Sequence, residues 1–85
     1  MNWVLRVSKK ALKDLRRLPK SDLRRIDAAF EAMAADPYGG DTKKLGGSAS
    51  EFRRRVGVWR VFFAVDGKTV FVLRVMRRTT TTYRV

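Results

Sequence analysis

Phe52-Arg53-Arg54-Arg55-Val56-Gly57-Val58-Trp59-Arg60-Val61, running on through Phe62-Phe63-Ala64-Val65-Asp66-Gly67-Lys68-Thr69-Val70-Phe71-Val72-Leu73-Arg74-Val75-Met76, is the stretch that decides the fold. Valine and aromatic residues recur through it, and only glycine-containing turns interrupt it, the signature of consecutive antiparallel strands. Three strands are predicted, Glu51 to Val56, Val58 to Val65 and Lys68 to Met76. Gly57 with Val58 makes the first bend, and Asp66-Gly67 makes a two-residue hairpin turn of the I′ kind that pairs Val65 with Lys68. Side chains alternate between the two faces of a sheet. Phe52, Val56, Trp59, Val61, Phe63, Val65, Val70 and Val72 then share a core face. Arg53, Arg55, Arg60 and Phe62 share the other, with Leu73 and Val75 beside them. Arg54 and Arg74 fall on the core side, so Arg54 must snorkel past the sheet edge or pair with an acid such as Glu51.

Upstream, Trp3, Leu5 and Val7 alternate and predict a first strand over Asn2 to Val7. Ser8 can cap a helix whose apolar positions are Ala11, Leu12, Leu15 and Leu18, and Pro19 ends it. Ser21 can cap a second helix reaching Asp36, with Asp22 in its first turn and Leu23, Ile26, Phe30 and Met33 as its buried stripe. Asp36 to Ser50 is glycine-rich and reads as a loop that carries Lys43 and Lys44. After Met76 the four threonines Thr79 to Thr82 favour extended chain. The expected class is α+β in the order β-α-α-β-β-β, a mainly antiparallel four-stranded sheet with a helical hairpin packed on one face. With 85 residues, positions 1–85 are expected to form a single domain.

Composition narrows the chemistry. Cysteine and histidine are both absent. That removes disulfide staples, thiolate metal sites, the Ser-His-Asp arrangement and paired-histidine ribonuclease chemistry. Any catalysis falls to Arg, Lys, Tyr, Asp or Glu, and neither metal nor cofactor is expected. No apolar run approaches a membrane span, and Met1 to Arg6 lacks a signal-peptide core, so a cytoplasmic protein without a membrane partner is expected. Twenty Lys and Arg against eight Asp and Glu give a formal +12. Residues 46–85 hold nine bases and only two acids. A folded domain this basic calls for a polyanion, with phosphate backbones the commonest kind, an acidic protein or an acidic membrane being the alternatives.

The basic residues converge. Arg55 is predicted directly opposite Arg60, and like charges across a strand pair cost up to about 1 kcal/mol, which suggests a place built for an anion. The alternative is a solvated arginine face. Arg77 and Arg78 arrive from the neighbouring strand, and Tyr83 is the phenol that they tether nearby, unless it is simply a packed C-terminal aromatic. Lys43 and Lys44 are either a solvated loop or auxiliary phosphate contacts.

Taken together, Ala11-Leu12-Lys13-Asp14-Leu15, Asp36-Pro37-Tyr38, Lys43-Lys44-Leu45-Gly46, Phe52 to Val61, Val72-Leu73-Arg74-Val75, Arg78 and Tyr83 resemble the RelE/ParE superfamily of toxins over nearly the whole chain. Phe52 to Val61, with its aromatic-Arg-x-Arg-Val-Gly-x-aromatic-Arg-Val pattern, carries most of the resemblance. It implies a type II toxin that enters the ribosomal A site and cleaves mRNA without a metal, leaving a 2′,3′-cyclic phosphate, and that is held by a cognate acidic antitoxin. The resemblance further implies that Arg53 and Arg55 hold the scissile phosphate and that Arg60 stabilises transition-state charge. Arg78 is then a second charge stabiliser or acid and Tyr83 the base for the 2′-hydroxyl; Lys43, Lys44 and Arg77 are expected, on their charge, to be RNA contacts. Cations preorganised in this way can both stabilise a phosphorane and lower the pKa of a phenol. A ParE-like inhibitor of DNA gyrase, or an inactive member that only binds RNA or antitoxin, shares the same fold and is the alternative.

Overall fold

A computed structural model describes residues 3–46 and 51–77. Its elements are β1 (Val4–Val7), α1 (Lys9–Arg16), α2 (Lys20–Ala35), β2 (Thr42–Lys44), β3 (Glu51–Val56), β4 (Trp59–Asp66) and β5 (Thr69–Arg77). The strands form one mixed sheet in the order β1-β5-β4-β3-β2, with β1 parallel to β5 and every other pair antiparallel. The α+β class stands as expected, and the sheet has five strands instead of four. The addition is β2, which pairs Thr42 with Arg54, Lys43 with Arg53 and Lys44 with Phe52 inside what reads as a loop. Three polar residues carry no alternation to detect. An edge strand of this kind is held by its backbone, and its lysines discourage pairing with another chain.

Local chemistry explains the helices. The Ser8 hydroxyl accepts from the Ala11 N–H at 3.0 Å, capping α1. It also donates to the Leu73 carbonyl at 2.9 Å, while the Ser8 N–H donates to the Val72 carbonyl. Thus α1 continues along the edge of β5 that β1 leaves open. Because it lies at an edge, its buried stripe is narrow: Ala11 and Leu18 are in the core with Leu15 packed against it, whereas Leu12, expected inside, is 45% exposed. Ser21 does not cap α2. Pro19 occupies that place, its carbonyl accepting from Leu23 at 2.9 Å, so the helix begins at Lys20 with no side-chain cap. Ile26 and Met33 are fully buried, and Leu23 and Phe30 pack around them. No helix among the described residues is long and apolar enough to cross a membrane.

The core is completed by Val61, Phe63, Val70, Val72 and Val75 from the sheet, with Phe52 stacked on Phe63 at 5.5 Å. The β3–β4 register matches expectation, Val56 facing Trp59 and Arg55 facing Arg60. At the next turn Asp66 pairs with Thr69, so the loop is Gly67-Lys68. Gly67 has φ of +60° and no described non-glycine residue has positive φ, so the turn needs a left-handed residue only at its first central position, as in type II′. The shift relative to the expected pairing is two residues, which leaves every side chain on its expected face.

A β-bulge does change faces. Phe62 pairs with Arg74 and Phe63 with Val72, leaving Leu73 unopposed. Beyond it the alternation restarts, so Val75, expected on the outer face, is buried opposite Val61, and Arg77 faces Trp59. Asp14 of α1 holds this point. Its carboxylate accepts from Arg74 Nε at 2.8 Å, Arg74 Nη2 at 3.0 Å and the Val75 N–H at 2.9 Å. The hydrogen bond from Arg74 holds the Asp14 pKa below its ordinary 3.8, against the opposing effect of burial.

Candidate functional site

Strand register builds the site on the sheet face away from the helices. One cross-strand row reads Lys43, Arg53, Phe62, Arg74, and the next reads Arg55, Arg60, Met76. Rows on one face lie about 7 Å apart, two residues of strand rise. Arg53, Arg55 and Arg60 therefore share one patch, and Lys43 joins it from β2.

The arginines are held differently. Arg55 donates from Nε to Asp41 Oδ2 at 3.0 Å, with both side chains about half exposed. The Arg55 backbone N–H donates to the Asp41 carbonyl at 2.9 Å. One turn residue thus orients the guanidinium and leaves its two terminal nitrogens without a hydrogen-bond partner among the described residues. Arg60, directly opposite, is half-buried, and its Nε is buried with no acceptor among the described residues. A buried donor left unsatisfied is costly, and a second cation beside it adds to the cost. An anion at the open ends of the two guanidinium groups would offset the like-charge cost. Arg54 lies on the helix side, as its parity requires, and reaches out at the β2 edge to donate to the Gly39 carbonyl at 3.2 Å, with Glu51 taking no part. Gly40, at φ of +64°, leaves the space its guanidinium fills.

Two expected contacts are placed elsewhere. Lys44 pairs with Phe52, so it projects to the helix-covered side while Lys43 projects to the arginine side. Arg77 lies opposite Trp59 with its guanidinium 5.9 Å from the ring centre, on the same side as Val75, because the bulge inverts the alternation. Arg78 and Tyr83 lie outside the described residues. Sequence reasoning missed Asp41, whose only signal is an acid in a turn just before the basic patch, and Asp14, whose partner is sixty residues away. It also missed a shallow hollow of about 250 Å³ beside the arginines, lined by Leu45, Glu51, Phe62, Leu73 and Met76 among others. Among the described residues no three Asp or Glu side chains gather into a group that could hold a metal. Chemically, the patch can bind and polarise a phosphate diester.

Known proteins share this architecture. Residues 5–81 match the family described as ParE toxin of type II toxin-antitoxin system, parDE. A protein of Methanocaldococcus jannaschii named RelE1 is 31% identical over 83 residues, covering 92% of each chain. The RelE–RelB complex of Pyrococcus horikoshii OT3 superposes with a TM-score of 0.82 at 27% identity, over 92% of this chain and 97% of that one. The RelBE2 toxin–antitoxin complex of Mycobacterium tuberculosis superposes with a TM-score of 0.80 at 29% identity, over 92% and 100%. With family match, relatives and sheet geometry in agreement, the chain belongs to the RelE/ParE superfamily of type II toxin–antitoxin toxins.

Proposed function

We propose that this toxin is a RelE-like endoribonuclease that cleaves mRNA on the ribosome and so inhibits translation. The observation that supports it most is the facing pair on the open sheet, Arg55 aimed by Asp41 and Arg60 left without an acceptor among the described residues. In the step proposed, the ribose 2′-hydroxyl oxygen bonds to the adjacent phosphorus while the bond to the next nucleotide's 5′-oxygen breaks. The products are a 2′,3′-cyclic phosphate and a 5′-hydroxyl. Arg60 and Arg55 neutralise charge that grows on the phosphoryl oxygens, and Arg53 and Lys43 hold the flanking backbone. Tyr83, acting as base, takes the 2′-hydroxyl proton, and Arg78, acting as acid, gives the departing 5′-oxygen its proton, the roles that the family resemblance implies.

An acidic antitoxin completes the system: the matched P. horikoshii and M. tuberculosis toxins were solved as complexes with theirs, and +12 on 85 residues favours fast capture by an acidic chain. A second reading, inhibition of DNA gyrase, is favoured by the family match, whose description is that of ParE toxins. Primer extension on cellular mRNA after brief induction separates them. New 5′ ends at codon boundaries support cleavage; intact mRNA with a DNA-damage response transfers the assignment to gyrase.

A further inference from the structure

The hollow beside the arginines has a chemistry of its own. Phe62 sits between Arg53, its cross-strand partner, and Arg60, two residues before it. Leu73, the unopposed residue of the bulge, is 37% exposed, and Met76, in the Arg55–Arg60 row, is 44% exposed. These side chains lie outside the buried core cluster. They form an apolar floor on a face otherwise crowded with cations. At the far rim is Glu51, in the row beyond Arg53 and paired to Ala64, the one acidic residue among those lining the hollow. It makes no ion pair among the described residues.

An apolar floor bordered by cations fits neither a free phosphate nor a greasy partner. It fits a ligand that is flat and apolar on its faces, polar at its edge and joined to an anion. Single-stranded RNA presents that combination when an unstacked base lies on an aromatic or apolar surface. The carboxylate at the rim selects further. It only accepts hydrogen bonds, so it suits a base edge rich in N–H groups, and guanine alone offers two adjacent donors, N1–H and the 2-amino group, to the two oxygens of one carboxylate.

We infer that the Phe62–Leu73–Met76 floor and Glu51 form a nucleobase subsite selective for guanine, which rests on the RNA-cleavage reading above and adds the base next to the phosphate held by Arg55 and Arg60. The subsite explains why Leu73 and Met76 remain exposed on a strand whose other apolar side chains are mostly buried. It makes Glu51 a specificity residue with no part in bond breaking.

The test uses the purified full chain and fluorescein-labelled hexanucleotides of uridine carrying one guanosine, inosine or adenosine. Anisotropy at low salt should show guanosine bound about tenfold more tightly than adenosine, at the lower end of a bidentate base contact. Inosine, which lacks the 2-amino group, should fall between. Glu51→Gln should bring the three within about twofold of one another, whereas Phe62→Leu, which keeps an apolar side chain and removes the ring, should weaken all three together. Thermal melts confirm that both variants fold. Equal affinity for the three RNAs in the parent, or an undiminished guanosine preference in Glu51→Gln, overturns the subsite. The same variants are then mapped for cut sites in cells. A parent that cleaves with no base preference, and a Glu51→Gln that cuts at the same positions, removes the subsite and leaves the nuclease. A guanosine preference in binding without any cleavage removes the nuclease and leaves the subsite.

Discussion

Asp14→Ala is expected to loosen the end of β5 and lower stability by about 2 kcal/mol. The Asp14 side chain is only 11% exposed and accepts three hydrogen bonds. Its loss strands the part-buried Val75 N–H beside the bulge, a cost of about 1–3 kcal/mol. The Arg74 side of the pair is open to solvent, is screened and adds little. For a domain of this size, about 2 kcal/mol corresponds to a drop in Tm of roughly 10 °C. The pH dependence follows from the depressed Asp14 pKa. A carboxyl with a folded-state pKa below 3.8 stabilises the protein fully above that value, and the contribution is lost as pH falls from about 4 through the lower folded-state pKa. Calorimetric melts from pH 7 to pH 2.5 should therefore show the parent and Asp14→Ala separated near neutrality and converging in acid. Melting curves that coincide at pH 7, or a gap that persists unchanged to pH 2.5, would show that the Asp14 clamp does not hold β5.

Three further outcomes are expected. Phe63→Ala, at a fully buried position stacked on Phe52, should cost about 3–5 kcal/mol in urea unfolding, a large part of a small domain's stability. RNA affinity should fall with salt at a log–log slope of roughly −3, as for four phosphate contacts by Lys43, Arg53, Arg55 and Arg60; Lys43→Ala should reduce the slope by about 0.7 and Lys44→Ala should leave it unchanged. Purification from the native operon should yield the toxin bound to an acidic protein, and recovery of the chain alone, without harm to its host, would count against an antitoxin partner.

The strands β3 and β4 were legible because each carries its own alternation and the turn between them is short and marked by Gly57, whose φ is +60°. From that register alone Arg53, Arg55 and Arg60 could be placed on one face with Arg55 against Arg60. Past Leu73 the same rule failed. A bulge is a property of two paired strands, and nothing in Val72-Leu73-Arg74-Val75 taken singly announces that Val75 turns inward and Arg77 goes with it. The strand β2 was invisible because its three polar residues are recruited by the backbone of β3. Ser21 misled because hydroxyl residues favour N-caps, yet Pro19 already supplies the extended geometry from which α2 starts. Asp14 and Asp41 act through partners distant in sequence, so their roles appear only when the chain is folded.

Single-turnover cleavage of a programmed ribosome by the parent and by Arg60→Ala, with ribosome binding and thermal melting measured on both, tests the central claim most directly. Arg60 lies on the uncovered face, and its truncation removes an unsatisfied Nε and a like charge opposite Arg55, so the melting temperature should stay in place or rise. It should weaken binding only by the share of one of the four phosphate contacts and slow cleavage roughly a hundred- to a thousandfold, as expected for a group whose main contribution is to charge that grows in the transition state. An Arg60→Ala variant that melts, binds and cleaves like the parent would contradict the assignment of the active site.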